Sequence, residues 1–176
     1  MVYAMENLEH NFESREKLRD ATLVFLVRKS QERVSEICLA MKKRGFGVNR
    51  WNGVGGKVEK AEGIDKAAER ETKEEIGVEI KQMYKVAELS FYFPHNQLWD
   101  QKVHVYFSEV WDGEPSESEE MNPQWFSTQN IPLEHMWPDD AFWVPEVLSG
   151  KLVKATFVFG EGDVIQDKEV KIVSSL

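Results

Sequence analysis

The chain has 176 residues, of which 41% are hydrophobic and 30% are charged, and its formal net charge is −9. This length and composition are typical of one soluble globular domain, while the acidic charge disfavours a nucleic-acid polymer or an anionic membrane as partner. It is compatible with a small phosphorylated ligand, because a metal ion can supply the positive charge. The single cysteine, Cys38, rules out a disulfide within the chain, and no apolar run approaches the about 18 residues of a membrane-spanning helix.

A chain that cannot form an internal disulfide is typical of a protein from a reducing compartment. We expect a monomer in the cytoplasm, and the sequence leaves a nuclear or mitochondrial share open. Residues 1–18 are polar and mixed in charge, and they resemble neither a secretory signal nor an acid-poor transit peptide. They predict a loose N-terminal extension, which a single domain at 19–176 follows.

The hydrophobic pattern predicts an α/β fold. Strands are expected at 21–27, 37–41, 83–93, 98–110, from Trp125 onward, at 152–159 and at Val164–Val173, the last two forming a hairpin. Helices are expected at Ile64–Ile76, which Gly77 can end in the left-handed conformation, and at 138–148. The polar segment 28–36 is a predicted turn, the glycine-rich basic segment 42–57 is a predicted functional loop, and 113–121 is a predicted acidic loop.

The helix Ile64–Ile76 carries the strongest chemical signal. At about 100° per residue, Glu71, Glu74 and Glu75 share a face with the apolar residues, while the lysines of the helix point away. A run of charges is most often a solvated face. Here, however, three like charges beside apolar residues near a helix C-terminus repel one another and the helix dipole. Arg70 can offset part of this charge, and divalent ions suited to carboxylate oxygen, such as Mg²⁺ or Mn²⁺, can offset the rest.

The residues around this helix match a known motif. Residues 56–78 resemble the Nudix box, G-x5-E-x7-R-E-U-x-E-E-x-G-U, in which U is a bulky aliphatic residue. The matching positions are Gly56, Glu62, Arg70, Glu71, Glu74, Glu75, Gly77 and Val78. Thr72 stands at one aliphatic position, where its β-branched shape affects packing more than chemistry. The chain thus resembles the Nudix hydrolases, which implies an α/β/α sandwich around a mixed sheet and hydrolysis of a nucleoside diphosphate linked to another group.

Further segments resemble the animal MutT-homologue branch of this family, which hydrolyses oxidised purine nucleoside triphosphates. The likeness rests on 41–58, 91–93, 117–126 and 137–143, and it extends from about Thr22 to near the C-terminus. Gln101 and Lys102 resemble an insertion beside the base pocket, and Trp99 falls where this branch tends to carry methionine. The implied reaction is attack of water at the β-phosphorus of a substrate such as 8-oxo-dGTP or 2-hydroxy-dATP. Its products are a nucleoside monophosphate and pyrophosphate, and it sanitises the nucleotide pool and so prevents DNA damage.

The resemblance also implies the metal and catalytic residues. The Gly55 carbonyl and the carboxylates of Glu71, Glu74, Glu75 and Glu120 would hold Mg²⁺, with Mn²⁺ as a substitute. Glu75 is the favoured general base and Glu120 is its rival, a choice that the sequence leaves open.

The loop before the helix would bring backbone groups close to phosphate, which requires Gly53, Gly55 and Gly56. Lys42 is the predicted triphosphate contact, with a solvated loop lysine as the alternative. Lys57 is expected to contribute a backbone group rather than its charge, and Glu62 is expected to support the loop.

The segment 137–143, WPDDAFW, places two carboxylates between two tryptophans. Taken alone it favours a helix start, with Asp139 and Asp140 in the first turn and both tryptophans in the core. Beside the resemblance it favours a site that reads a purine. Two adjacent carboxylates in an apolar cage can share one proton and so offer both a donor and an acceptor. Trp137 can stack on the base, and Asn52 can bind its other edge.

The remaining predicted substrate contacts are wall residues of this pocket, and for each of them plain core packing is the alternative. They are Thr22, Leu23, Phe46, Val54, Phe91, Phe93, Trp99, Met121, Pro138 and Trp143.

Two other functions stay in view. One is a Nudix hydrolase for a methylated purine triphosphate, a dinucleoside polyphosphate or a nucleotide sugar, and the other is a non-catalytic nucleotide sensor. The caged aspartates argue against the first, and the intact carboxylate set argues against the second.

Overall fold

A computed structural model describes residues 17–176, which form two helices and one mixed sheet of eight strands. The expectation for residues 1–16 therefore lies outside the described residues. The strands are β1 (Arg19–Ser30), β2 (Arg33–Lys42), β3 (Trp51–Asn52), β4 (Glu79–Tyr92), β5 (Gln101–Asp112), β6 (Met121–Ser127), β7 (Leu152–Gly160) and β8 (Val164–Val173). The helices are α1 (Ile64–Ile76) and α2 (Asp140–Leu148).

The sheet order is β3-β2-β1-β5-β4-β7-β8, with β6 paired to β2. The β1–β5 and β4–β7 pairs are parallel, whereas the other pairs are antiparallel. No described helix is long and apolar enough to cross a membrane.

The two helices lie on opposite faces of this sheet. Neighbouring residues of a strand point to opposite faces, and β1 shows which helix each face carries. Val24 packs in one apolar cluster with Ala68 of α1, whereas Phe25 packs in the other with Trp143 of α2. The predicted α/β/α sandwich around a mixed sheet is thus confirmed.

The first hairpin is longer than predicted. The turn contains only Gln31 and Glu32, both at positive φ (51° and 64°), and the strands on either side reach Ser30 and Arg33. The predicted polar turn at 28–36 was wrong because these residues are largely exposed on both faces. An exposed hairpin end shows no alternation of apolar residues for a periodicity argument to detect.

The first residues of three other elements differ from the predicted ones. The strand expected from residue 98 begins at Gln101, because Gln97–Trp99 form a single turn of 3-10 helix. β6 begins at Met121 instead of Trp125, and α2 begins at Asp140 instead of residue 138. The loop 42–57 also contains the two-residue strand β3.

The predicted insertion is absorbed into β5. Gln101 pairs with Phe91 of β4 and with Arg19 of β1, and Lys102 continues the same register. At the N-terminal boundary, Leu18 packs against buried Tyr92 and Val158, so this residue of the predicted extension contacts the sheet.

Helix α1 has the predicted bounds. Gly77 ends it at φ 74°, and its N–H donates to the Lys73 carbonyl at 3.0 Å. Thr72 is fully buried, and its hydroxyl donates to the Ala68 carbonyl at 2.8 Å. A threonine therefore fits the aliphatic position of the motif, because its polar atom is satisfied within the helix.

We predict that Phe107→Ala lowers the free energy of unfolding by about 3–5 kcal/mol, because it empties a site in the centre of the sheet. Phe107 is 2% exposed and packs edge-to-face on Phe25. Val110→Ala on the same strand is the control, since Val110 is 45% exposed and its loss should cost at most about 0.5 kcal/mol. Urea unfolding measures both, and equal losses would contradict the assigned core.

Candidate active site

The glycine-rich loop is held against the edge of β1 by backbone hydrogen bonds. The Thr22 N–H donates to the Gly56 carbonyl at 2.8 Å, and Val24 and Val54 exchange two bonds at 2.7 and 3.0 Å. The Gly55 N–H then donates to Oε2 of Glu75 at 3.0 Å. One short segment therefore fixes both the position of the loop and the orientation of a buried carboxylate on α1.

Gly56 lies so close to α1 that a side chain would collide with it. A Cβ at this position would stand 2.6 Å from the carboxylate carbon of Glu71. Glycine at position 56 is therefore what allows the Glu71 carboxylate to lie against the loop backbone.

The three carboxylates of α1 share the predicted side of the helix but differ in depth. Glu75 is 6% exposed, whereas the side chains of Glu71 and Glu74 are 16% and 58% exposed. Arg70 binds Glu71 at 2.8 Å and Glu74 at 3.3 Å. It also donates to both carboxylate oxygens of Glu62, at 2.8 and 3.0 Å. Arg70 is thus the cation within α1 that was expected to offset part of the carboxylate charge.

Burial changes the ionisation of Glu75. Burial raises its pKa to about 7, and the nearby charges of Glu71 and Glu120 act in the same direction. The hydrogen bond from Gly55 and the charge of Lys42 oppose this rise. A carboxyl group with a pKa near neutrality can accept a proton and release it again at physiological pH.

A basic segment faces the acidic loop across this site. Lys42 lies 3.7 Å from Glu120, and Arg44 lies 3.0 Å from the same carboxylate. Arg44 is the first cause of the lowered pKa of Glu120. Glu120 is therefore held ionised and close to the α1 carboxylates, although it lies 45 residues or more from them in the sequence.

A cavity of 530 Å³ opens next to these residues. Its lining includes the following predicted substrate contacts: Thr22, Leu23, Lys42, Phe46, Asn52, Gly55, Gly56, Lys57, Phe91, Phe93, Met121, Trp137, Asp139, Asp140 and Trp143. Glu120 borders the same cavity, which brings the predicted phosphate end and the predicted base end into one space.

Three predicted contacts lie outside the cavity wall. Val54 is buried on the α1 face because its backbone pairs with β1. Pro138 is exposed ahead of α2. Trp99 is 38% exposed and contacts the rings of Phe46 and Phe93, so it packs behind wall residues.

Asp139 and Asp140 both line the cavity and are buried, with 3% and 2% exposure. Asp139 accepts a hydrogen bond from the Trp143 indole at 3.0 Å, and Asp140 accepts one from the Trp137 N–H at 3.0 Å. Burial raises the pKa of Asp139 to about 6, and burial together with the charge of Asp139 raises the pKa of Asp140 well above its ordinary value. The pair begins α2, as the helix-start interpretation of WPDDAFW expects. It also borders the cavity, as the interpretation of a base-reading site expects.

The wall also contains residues that sequence reasoning missed, namely Ala21, Arg44, Gly45, Gly47, Leu89, Val103 and Phe159. Gln101, which was expected beside the base pocket, also borders the cavity. Arg44, Gly45 and Gly47 lie in the predicted functional loop 42–57, so their position in that loop could have indicated that they border the site. The others are strand residues whose inward direction depends on the register. Phe159 reaches the cavity because β7 lies beside β4, where its ring stacks on Phe93 with centroids 5.4 Å apart.

A family model of the NUDIX domain matches residues 17–147. The chain belongs to the Nudix family.

The similar proteins cover most of the chain. It is 43% identical over 140 residues to the oxidized purine nucleoside triphosphate hydrolase of Mus musculus, which covers 79% of this chain and 88% of the relative. It is 40% identical over 156 residues to the protein of the same name from Danio rerio, covering 88% and 96%. A crystal structure of a Mutator MutT protein from Bacillus halodurans superposes with a TM-score of 0.74 at 23% identity, covering 88% of this chain and 98% of that one, which shows a shared fold.

Nudix hydrolases use a divalent metal ion. In residues 17–176 no three acidic, histidine or cysteine side chains are already arranged around one metal position. The oxygens of Glu71 and Glu74 instead accept bonds from Arg70. The donor chemistry nevertheless fits such an ion, because the carboxylates of Glu71 and Glu75 lie against the Gly55–Gly56 backbone and Glu120 borders the same cavity. These are hard oxygen ligands of the kind that Mg²⁺ prefers, and Glu74 is the fourth carboxylate that would join them.

We predict that Gly56→Ala in this Nudix hydrolase lowers kcat/KM for nucleoside triphosphate hydrolysis about 10- to 100-fold, because the new methyl group displaces the Glu71 carboxylate. The control is Gly63→Ala in the same loop, where a Cβ meets nothing within 4 Å and φ is −75°. Steady-state kinetics with a saturating divalent metal compare the two. Equal activity of the two variants would show that the close approach of Gly56 to Glu71 has no catalytic role.

Proposed function

We propose that this Nudix hydrolase is a nucleoside triphosphate diphosphatase that converts oxidised purine (deoxy)nucleoside triphosphates, with Mg²⁺, to the monophosphate and pyrophosphate. The observation that carries the proposal is that the buried pair Asp139–Asp140 lines the same cavity as Gly55 and Gly56, the backbone segment against which Glu75 and Glu71 of α1 lie. The two relatives named as oxidized purine nucleoside triphosphate hydrolases support it, since they match most of the chain.

The aspartate pair suits a base edge that mixes donors and acceptors. One proton shared between Asp139 and Asp140 makes one carboxyl a donor and leaves the other an acceptor. An oxidised purine differs from the normal base in where its edge carries an N–H or a carbonyl. A site that matches this edge in a dry pocket therefore rejects the other pattern, because buried polar groups would be left unpaired.

Aromatic rings around the pair supply the rest of the base site. Trp137 offers an indole plane, and the stacked rings of Phe93 and Phe159 close the side. The Asn52 amide oxygen accepts from the Gly53 N–H at 2.8 Å, which orients the amide beside the cavity. These contacts favour a flat heterocycle over a sugar as the group that enters this end.

The phosphate end is served by the basic loop and the glycine-rich loop. Lys42 and Arg44 border the cavity and carry positive charge toward a triphosphate. Gly55 and Gly56 allow a phosphate to approach the backbone. A bound Mg²⁺, held by Glu71, Glu74, Glu75 and Glu120 with the Gly55 carbonyl, would neutralise phosphate charge and acidify a water molecule.

Within this arrangement Glu75 takes the proton from the attacking water. It is the most buried of the α1 carboxylates, and its raised pKa suits proton transfer near neutrality. Glu120 is the weaker choice, because its two basic neighbours lower its pKa. Arg70 keeps Glu71 and Glu62 in place and so preserves the geometry around Glu75.

The experiment that tests the proposal is a steady-state screen of triphosphates with Mg²⁺ and with Mn²⁺, in which released pyrophosphate is measured. The panel contains 8-oxo-dGTP, 2-hydroxy-dATP, a methylated purine triphosphate, dGTP and dATP, with a dinucleoside polyphosphate and a nucleotide sugar as other classes. We expect the highest kcat/KM for the oxidised purines. A higher value for any other class, or no hydrolysis of any compound, would overturn the proposal.

We predict that Glu75→Gln lowers kcat about 10²- to 10⁴-fold while the fold and most of the nucleotide affinity remain, because an amide cannot accept the proton. Glu69→Gln on the same helix is the control, since Glu69 pairs with Lys66 on the far side. Single-turnover rates and nucleotide titrations measure both. A near-normal rate in Glu75→Gln would pass the base role to Glu120.

We predict that Asp139→Asn and Asp140→Asn each reduce the preference for 8-oxo-dGTP over dGTP by about 5- to 150-fold, as one hydrogen bond in a dry site is lost. The wild-type preference should also depend on pH. The pKa values of the pair are raised, so the shared proton is present at low pH and is lost as pH rises through them. The preference should therefore fall toward alkaline pH in the wild type and change less in the variants.

The measurement is the ratio of kcat/KM values for 8-oxo-dGTP and dGTP between pH 5 and 9, in which ionisations at the phosphate end cancel. Asp112→Asn, at a side chain that is 72% exposed at the end of β5, is the control. Unchanged ratios in both cavity variants would mean that Asp139 and Asp140 only begin α2.

A further inference from the structure

The indole of Trp137 is braced by groups from separate parts of the chain. The Arg50 guanidinium lies 4.1 Å from the ring centroid, and the rings of Phe46 and Phe159 lie 4.9 and 6.1 Å away. Gly47 approaches so closely that a Cβ there would meet the indole at 3.2 Å. Arg50 is the charged member of this group, and its guanidinium packs on the face of the indole ring.

Arg50 is itself held by a distant residue. Its Nη1 binds Oδ2 of Asp163 at 2.9 Å, across 113 positions of sequence, and both side chains are about one-third exposed or less. Asp163 lies in the turn between β7 and β8 at φ 60°, directly after Gly162 at φ 72°. Aspartate is among the few residues that tolerate this left-handed conformation, which aims its carboxylate at Arg50.

We propose that Arg50 is a positioning residue that sets the substrate specificity of the cavity, and that Asp163 holds it in place. Arg50 is not among the residues that border the cavity, so it acts through Trp137 and through the aspartate pair. Its guanidinium fixes the plane on which the base stacks. The inference rests on the proposed function, because it assumes that Trp137 and the pair Asp139–Asp140 receive the base.

The charge of Arg50 gives it a second effect on the same site. It lowers the pKa of both Asp139 and Asp140, against the effect of burial. Apart from the two aspartates themselves, the other groups that act on the pair are uncharged: the Trp143 indole and the backbone N–H groups of Trp137 and Asp139. Asp163 neutralises part of the Arg50 charge from outside. Arg50 therefore lowers the pH at which the shared proton leaves, and removing its charge moves that pH upward.

The chain offers a matched control with the same architecture outside the cavity. Arg28 lies 3.8 Å from the ring centroid of Trp125 and pairs with Glu36 at 3.6 Å. None of these three residues borders the cavity. Arg28→Gln thus removes an equivalent stacked and ion-paired arginine, so any general cost of losing such a contact appears in both variants.

The test compares Arg50→Gln, Arg50→Lys and Arg28→Gln with the wild type, using 8-oxo-dGTP and dGTP between pH 5 and 9. Arg50→Gln should raise KM for 8-oxo-dGTP about 3- to 30-fold with kcat within about twofold, as a stacked cation over a partly buried ring is lost. The preference for 8-oxo-dGTP should then fall at higher pH than in the wild type. Arg50→Lys keeps the charge, so it should raise KM without moving the pH dependence. Arg28→Gln should change neither.

Asp163→Asn is the second variant, because asparagine also tolerates φ 60° and leaves the turn intact. It should raise KM for 8-oxo-dGTP by less than Arg50→Gln does. The double variant Arg50→Gln/Asp163→Asn should be no worse than Arg50→Gln alone, since Asp163 acts only through Arg50. This variant keeps the inference testable even where Arg50→Gln fails to fold, which thermal denaturation reveals.

The outcomes separate the two proposals. A wild type that prefers 8-oxo-dGTP, with Arg50 and Asp163 variants that keep its KM, preference and pH dependence, overturns this inference and leaves the proposed function standing. A wild type that does not distinguish the two triphosphates overturns both. Additive losses in the double variant, or equal losses in Arg28→Gln, would assign Arg50 a structural role only.

Discussion

The backbone pairing between β1 and the glycine-rich loop is the constraint on which both ends of the site depend. Thr22 and Val24 hold the loop through three backbone hydrogen bonds, and the loop in turn binds Glu75 and leaves room for Glu71. The same strand contributes Thr22 and Leu23 to the cavity wall. Because β1 lies between the loop and β5, the carboxylates of α1 and the base site keep a fixed separation, as attack on a phosphate of a bound nucleotide requires.

The two ends of the proposed site require carboxyl groups in opposite ionisation states. At the phosphate end carboxylates accumulate negative charge, which Arg70, Lys42 and a divalent ion offset. At the proposed base end two carboxyls are buried, and burial raises the pKa of both. The first end needs ionised groups and a metal, whereas the second needs a proton retained at neutral pH. Only a cavity with polar and dry ends can supply both conditions.

Sequence reasoning reached the fold class and α1 because both rest on strong local patterns: the spacing from Gly56 to Val78 and the left-handed Gly77. It missed cavity residues such as Phe159 and Leu89, whose direction depends on strand register and on which strands become neighbours. The role of Arg50 could not be predicted for a similar reason, because its partner Asp163 is 113 positions away in the sequence. Val54 and Trp99 are apolar residues of the type that lines such a wall. Backbone pairing with β1 directs Val54 away from the cavity, and a short 3-10 turn does the same for Trp99.

The most direct test of the account is a titration of the aspartate carboxyl carbons by ¹³C nuclear magnetic resonance, with Asp139→Asn and Asp140→Asn used to assign the two signals. The account predicts that the coupled pair loses its last proton well above the ordinary aspartate range, so that one proton remains on it near neutral pH. Binding of an oxidised purine monophosphate should hold that proton to still higher pH. Two carboxyls that both ionise near pH 4, with or without nucleotide, would contradict the account.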